Sequence, residues 1–275
     1  MDIRIAHSPD SDDAFMFYAL AKDKVPVGKY RFSHTLQDIE TLNRKALKGE
    51  YEITAISFHA YPYVADKYIL LPSGASMGDR YGPMVVAGEP WNQNELRNKR
   101  IAVPGAMTTA YLALKLFLPD FEAVVIPFDQ IIGAVQNRTV DAGLLIHEGQ
   151  LTYSSYQLHK IVDLGEWWYQ GTGLPLPLGG NVVRRDLGKE TIREISRLLK
   201  ESIQYALNHR EEALKYAMQF ARDLDTATAD RFVGMYVNER TLDYGKDGRK
   251  AVQLLFDRAY EAKLIPKPIS AEFAE

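Results

Sequence analysis

Charged and apolar residues alternate over residues 2–7, DIRIAH, which is the rhythm of a half-buried strand. Behind the possible N-caps Ser8 and Ser11 the rhythm changes to a helical one over 12–24, DDAFMFYALAKDK. The unit then recurs. YRFSHTL (30–36) leads into DIETLNRKALKG, where Asp38 can cap a helix and Gly49 can stop it, and YEITAIS (51–57) leads into FHAYPYV. YILLPSG from residue 68 and PMVVAG (83–88) predict two more strands on either side of a Gly-rich turn, GASMGDRYG. Alternation of this kind predicts an α/β protein whose mostly parallel sheet is covered by helices on both faces.

A second set of the same kind begins after Pro90. KRIAVPG (99–105), EAVVIPF (122–128) and VDAGLLIH (140–147) read as strands separated by the helical segments TTAYLALKLFL (108–118) and DQIIGAVQNR. LHKIVDLG (158–165) and LPLGGNVVRRD (176–186) add two strands, and 190–263 is almost wholly amphipathic helix. Two α/β sets without a Gly/Ser/Pro tether predict two lobes joined by strands. The crossings are expected near Gly88–Pro90 and Leu176–Gly180, giving one lobe of residues 1–88 plus 180–275, which includes the C-terminal helices, and a second of 89–179. Ligands of parallel sheets bind beyond the carboxyl ends of the strands, so the site is expected in the cleft between the lobes. No repeat with a period of 20–50 residues is visible, which excludes a solenoid.

Composition narrows the function. A chain of 275 residues with 46% apolar and 25% charged content can build a normal core. With 33 basic and 36 acidic residues, a net charge of −3 and no long run of either sign, nothing suits a nucleic-acid backbone. The absence of cysteine excludes disulfides, thiolate metal sites, iron–sulfur clusters and cysteine nucleophiles. The first twenty residues lack the pattern of a secretory signal, and no apolar run approaches the roughly 18 residues of a membrane helix. The expectation is a cytoplasmic protein that engages no membrane.

Four strand ends carry small or polar residues where an apolar strand stops: His7–Asp10, Ser57–His59, Gly105–Ala110 and His147–Gly149. Each could bind a ligand, and each could equally be a helix cap, because Ser, Thr and Asp are the ordinary capping residues. In PGAMTTA a Pro-Gly turn enters a helix whose first N–H groups, with the hydroxyls of Thr108 and Thr109, form a seat for a carboxylate or phosphate. The competing reading has one threonine capping the helix and the other packing. His147 ends an apolar strand beside Glu148 and Gly149, a place suited to a general base, although lone histidines are more often structural. HEGQL is not the HExxH of zinc proteases and the six histidines are scattered, so no metal is expected. Trp167-Trp168-Tyr169 and Phe15, Phe17 and Tyr18 could stack on a planar ligand or build the core. No GxSxG, P-loop or GxGxxG is present.

The segments SPDSDDAFMFYAL, DIETLNRKAL, AISFHAYPYV, SGASMGDRYGPMVVA, AVPGAMTTAYLAL, DAGLLIHEGQLTY, VDLGEWW and TGLPLPLGG resemble, in this order, the 1,4-dihydroxy-6-naphthoate synthase family of the futalosine route to menaquinone. The likeness runs from residue 3 to about 260 and implies the two-lobed fold of type II periplasmic binding proteins. It also implies cleavage of cyclic dehypoxanthinyl futalosine, a small carboxylated substrate, to 1,4-dihydroxy-6-naphthoate and a dihydroxyacetone fragment, without cofactor or metal. His147 matches the family's proton-accepting histidine, and Ala55, Ile56, Ser57, Thr109 and Ala110 match its substrate-binding stretches. Asp13 and Thr108 are further cleft candidates, Asp13 for substrate hydroxyls. The N-terminal turn departs from the family form SPCPNDTF at Asp10, Ser11, Asp12 and Ala14, so contacts from that turn are not carried over. Two other readings fit the same fold: the chorismate dehydratase of the same pathway, and a solute receptor or sensor without catalysis.

Overall fold

A computed structural model of the chain describes residues 1–221 and 224–275. The strands are β1 (Asp2–His7), β2 (Arg31–Leu36), β3 (Ile53–Ser57), β4 (Tyr68–Leu70), β5 (Ser76–Gly78), β6 (Met84–Ala87), β7 (Arg100–Val103), β8 (Glu122–Val125), β9 (Ala142–Leu145), β10 (His159–Asp163) and β11 (Leu176–Arg184). They form two sheets, ordered β2-β1-β3-β11-β4 with β5 also paired to β11, and β10-β6-β9-β7-β8. Both sheets follow one plan. The first strand of each α/β set lies between the second and third, so β1 is parallel to β2 and β3, and β7 to β8 and β9. The next place is taken by a strand entering from a crossing, β11 in one sheet and β6 in the other, and each runs antiparallel to its neighbours. Among the named strands parallel pairing is confined to the two trios, with one isolated parallel bridge between Leu70 and Phe273, and the sheets are mixed.

The helices are α1 (Ser11–Ala21), α2 (Ile39–Ala46), α3 (Thr109–Phe117), α4 (Ile131–Gln136), α5 (Gly149–Thr152), α6 (Leu164–Thr172), α7 (Lys189–Asn208), α8 (Arg210–Ala217), α9 (Thr226–Tyr236), α10 (Glu239–Leu242) and α11 (Gly245–Glu261). Several begin at side-chain caps that satisfy otherwise orphaned N–H groups. Asp38 accepts from Thr41 N at 3.0 Å to start α2, and Asp163 accepts from Gly165 N and Glu166 N to start α6. Ten successive residues of α1, Ser11–Leu20, are buried, because α7, α8 and α9 pack over it. This explains why AFMFYAL is apolar on both faces, and it returns the C-terminal helices to the first lobe. The helical stretch expected over 190–263 holds α7–α11, with positions 222 and 223 outside the described residues.

Two expected elements differ. FHAYPYV, expected to continue as a helix, makes only a single 3₁₀ turn at Tyr61–Tyr63, and the loop GASMGDRYG contains the short edge strand β5. The crossings also move. Met84–Ala87 pairs with β9 and β10, so the chain leaves the first sheet between Gly78 and Met84, ahead of Gly88–Pro90. Leu176 already pairs with Gly78 of β5, so the return is complete before Leu176–Gly180. The boundaries at 88/89 and 179/180 therefore fall too late. The reason is physical: PMVVAG is apolar throughout, as any strand buried on both faces is, and such a run does not say which sheet it joins.

The two crossings touch backbone to backbone. A Cβ on Gly165 would lie 1.9 Å from Tyr81 O, so glycine is required there for the segments to pass. A single apolar core continues past this junction, from Tyr68 and Phe256 through Trp168 and Leu176 to Ile101 and Leu144. Gly165→Ala is predicted to lower stability by about 2 kcal/mol through overpacking, whereas Gly88→Ala, with open space around its Cβ, should stay within about 0.5 kcal/mol of the parent. Urea unfolding of both variants checks this, and equal midpoints would contradict the packing account.

Candidate active site

The carboxyl ends of the parallel strands β1, β3, β7 and β9 converge on one cleft. Its walls include Ser8, Asp12 and Asp13 beyond β1, Ala55, Ile56 and Ser57 of β3, Thr108, Thr109 and Ala110 beyond β7, and Ile146 and His147 beyond β9. His147, Ala55, Ile56, Ser57, Thr108, Thr109, Ala110 and Asp13 thus line the same cavity, whereas His7, Asp10, His59 and Glu148 of the same strand ends are not in its lining.

His147 follows β9 in a left-handed conformation, φ +52°, which breaks the strand direction and turns the chain toward α5. Such a backbone is uncommon for a residue with a Cβ and clusters at functional sites. Its ring meets Phe128 edge-on at 4.9 Å, and its Nδ1 lies 3.2 Å from Asp10 Oδ2. Asp10 belongs to the opposite lobe and is 0% exposed, and Ser8 Oγ donates to the same Oδ2. Nε2 of His147 is buried and has no partner among the described residues.

The first turn of α1 adds two more buried acids. Asp13 accepts from Ser8 N at 2.7 Å, yet burial pushes its carboxyl up to about 7. Asp12 is raised well above the usual carboxylate range, first by burial and then by the neighbouring charges of Asp13 and Asp10. Near neutral pH this turn therefore retains protons, and a protonated carboxyl can donate a hydrogen bond.

The second strand-end pair shows how the threonine alternatives resolve. Thr108 caps α3: its hydroxyl accepts from Tyr111 N at 3.2 Å and donates to Gly105 O at 2.8 Å. Thr109 Oγ1 reaches across to the other lobe, donating to Leu178 O at 2.5 Å and accepting from His59 N at 3.2 Å. Both hydroxyls are engaged, but the N–H groups of Thr109 and Ala110 have no partner among the described residues and lie at the positive end of α3. Ser57 is fixed by Asn43, which accepts from Ser57 N at 2.9 Å, donates to Ser57 Oγ at 3.0 Å and reaches Met107 O of the second lobe at 3.3 Å.

Further contacts hold the cleft shut. Met107 N donates to Glu40 at 3.0 Å, and Tyr236 OH of α9 donates to Gln150 Oε1 at 2.7 Å. The roles of Asn43, Gln150 and Tyr236 were not legible in the sequence: Asn43 and Tyr236 lie on amphipathic helices where a polar group is ordinarily solvated, and Gln150 on a single helical turn that carries no face pattern. The aromatic clusters serve mainly the core: Trp168 is buried with its indole N–H on Pro175 O at 3.1 Å and Phe17 stacks on His7, while Tyr169 is half-buried with its hydroxyl accepting from Arg80 at 2.8 Å. Among the described residues no group of three His, Cys, Asp or Glu side chains is placed to hold a metal ion, and no helix is long and apolar enough to cross a membrane.

Two sheets built on one plan, with strand ends facing each other across a closing cleft, define the two-lobed periplasmic-binding-protein class. The alkanesulfonate-binding protein SsuA of Xanthomonas axonopodis pv. citri superposes with a TM-score of 0.73 over 98% of this chain and 96% of its own, at 13% identity, a likeness of fold alone. Within that class the chain belongs to the menaquinone biosynthesis family, whose model matches residues 3–261. Relatives named 1,4-dihydroxy-6-naphthoate synthase, from Thermus thermophilus and Streptomyces coelicolor, are 43% and 40% identical over 97% and 96% of this chain and 96% and 95% of theirs. A crystal structure from Archaeoglobus fulgidus is 51% identical, with a TM-score of 0.93 over 96% of this chain and 98% of that one.

The raised Asp13 carboxyl gives a signed prediction. Between the ordinary value of 3.8 and about 7 the native state binds more protons than the unfolded chain, so this group lowers stability as pH rises through that window. Asp13→Asn keeps an acceptor for Ser8 N and removes the titration. Its stability relative to the parent should rise by about 1 kcal/mol or more from pH 5 to pH 8. An offset that is the same at both pH values in urea titrations would contradict the assignment.

Proposed function

We propose that this protein is a cytoplasmic carbon–carbon lyase of menaquinone biosynthesis that converts cyclic dehypoxanthinyl futalosine to 1,4-dihydroxy-6-naphthoate and dihydroxyacetone, with His147 as general base. The relatives' shared name gives the product, and one observation supports the role of the base: Nε2 of His147 is buried on the wall of the cleft without a partner among the described residues. A buried ring nitrogen of this kind is costly unless a ligand completes it.

In this reading Nε2 removes a proton from the bound substrate. Elimination and a retro-aldol-type break then release the three-carbon fragment as the second ring becomes aromatic. His147 returns its proton to the released fragment and no net oxidation or reduction occurs, so the protein needs a base, positioning and exclusion of water. The free N–H groups of Thr109 and Ala110 suit the substrate carboxylate. The acids of α1 suit its hydroxyls, since burial keeps protons on Asp12 and Asp13 near neutrality. Ser57, held by Asn43, presents its hydroxyl between them.

His147→Ala should reduce kcat on cyclic dehypoxanthinyl futalosine by about 10²- to 10⁴-fold while KM stays within a few-fold, measured by chromatography of the naphthoate product. Turnover within threefold of the parent would refute the base. Conversion of chorismate by the parent enzyme, in place of the futalosine derivative, would favour the dehydratase, and tight binding of either compound without turnover would favour a receptor.

A further inference from the structure

We infer that Asp10 is a positioning residue for His147: reaching from the opposite lobe, its carboxylate holds the imidazole in the tautomer with the proton on Nδ1 and leaves the Nε2 lone pair facing the cleft. This rests on the proposed role of His147 as base and adds the group that prepares it.

The geometry leaves little freedom. Asp10 Oδ2 lies 3.2 Å from Nδ1 and also receives the Ser8 hydroxyl. A carboxylate can only accept, so the opposite tautomer would set two lone pairs against each other at that distance inside a buried seam. Phe128, edge-on at 4.9 Å, and the left-handed backbone at His147 restrict the ring from the other sides. The groups around the imidazole are then Asp10 and, on α1, Asp12, whose charge interacts with the ring, with the adjacent Glu148 at the start of α5 and the uncharged Phe128. Asp10 lies within hydrogen-bond distance of Nδ1.

Two consequences follow. When Nε2 takes a proton, the resulting imidazolium lies against an anionic partner that is already oriented, and no reorganisation is required at that moment. The pair also spans the lobes, with Asp10 ahead of α1 in the first and His147 beyond β9 in the second. Separation of the lobes withdraws Asp10, so the tautomer needed for proton abstraction is selected only while the cleft is shut, which ties the base to closure.

Nitrogen NMR of the full-length protein carrying isotope-labelled histidine tests this directly, with the His147 signal assigned by its loss in His147→Gln. The wild-type ring should be protonated at Nδ1 and bare at Nε2. Asp10→Asn, whose amide can turn an N–H toward Nδ1, should shift the ring toward the Nε2-protonated form and lower kcat by about 10- to 1000-fold, as a misplaced tautomer does elsewhere, with KM within threefold. An Nε2-protonated ring in the wild type overturns the inference without any variant needing to fold. So does an Asp10→Asn enzyme whose kcat is within threefold of the parent. The spectrum is independent of the reaction: an Nδ1-protonated ring together with an active His147→Ala enzyme would sink the lyase mechanism and leave the tautomer standing.

Discussion

Shutting the cleft buries the polar ends of four parallel strands, and a polar group taken from water must find a partner or a ligand. This constraint organises the molecule. Most groups at the seam are satisfied from the opposite lobe: Thr109 Oγ1 on Leu178 O, Met107 N on Glu40, Gln150 on Tyr236, and Nδ1 of His147 on Asp10. What the lobes fail to satisfy marks the site. Nε2 of His147 on one side and the first N–H groups of α3 on another are left open in the same cavity. Both open groups are available to a bound ligand.

Charge is distributed unevenly across this space. Asp10, Asp12 and Asp13 gather at the start of α1, where the helix dipole favours negative charge, but burial works against ionising all of them and raises the latter two. A carboxylated ligand is therefore expected to lie with its charge toward α3 and its hydroxyls toward α1. That orientation gives the acidic turn a chemical role instead of a repulsive one, and it is consistent with Ser57 and its Asn43 support sitting between the two ends.

Much of this was legible in the sequence. The strand–helix alternation gave two α/β sets, and the rule that ligands lie beyond parallel strand ends picked out Ser57, Thr109 and His147, which do share a cavity. Thr108 could be read as a cap because capping is local chemistry. Less could be read where the answer depends on long-range packing. The run PMVVAG is equally apolar in either sheet, so its membership in the second was hidden, and with it the position of the crossing. Asn43 looks like a surface residue of an amphipathic helix until the second lobe covers it. Asp10 stood in a turn marked as a departure from its family's form, and its contact with His147 depends on the approach of the other lobe.

The most direct test of the central claim is a crystal structure of the His147→Ala variant with unreacted cyclic dehypoxanthinyl futalosine. The account predicts the substrate carboxylate on the N–H groups of Thr109 and Ala110, and the atom that loses its proton within about 3.5 Å of the place Nε2 would occupy. A carboxylate lodged against the α1 acids, with the reacting atoms too far from that place for even one bridging water, would contradict it.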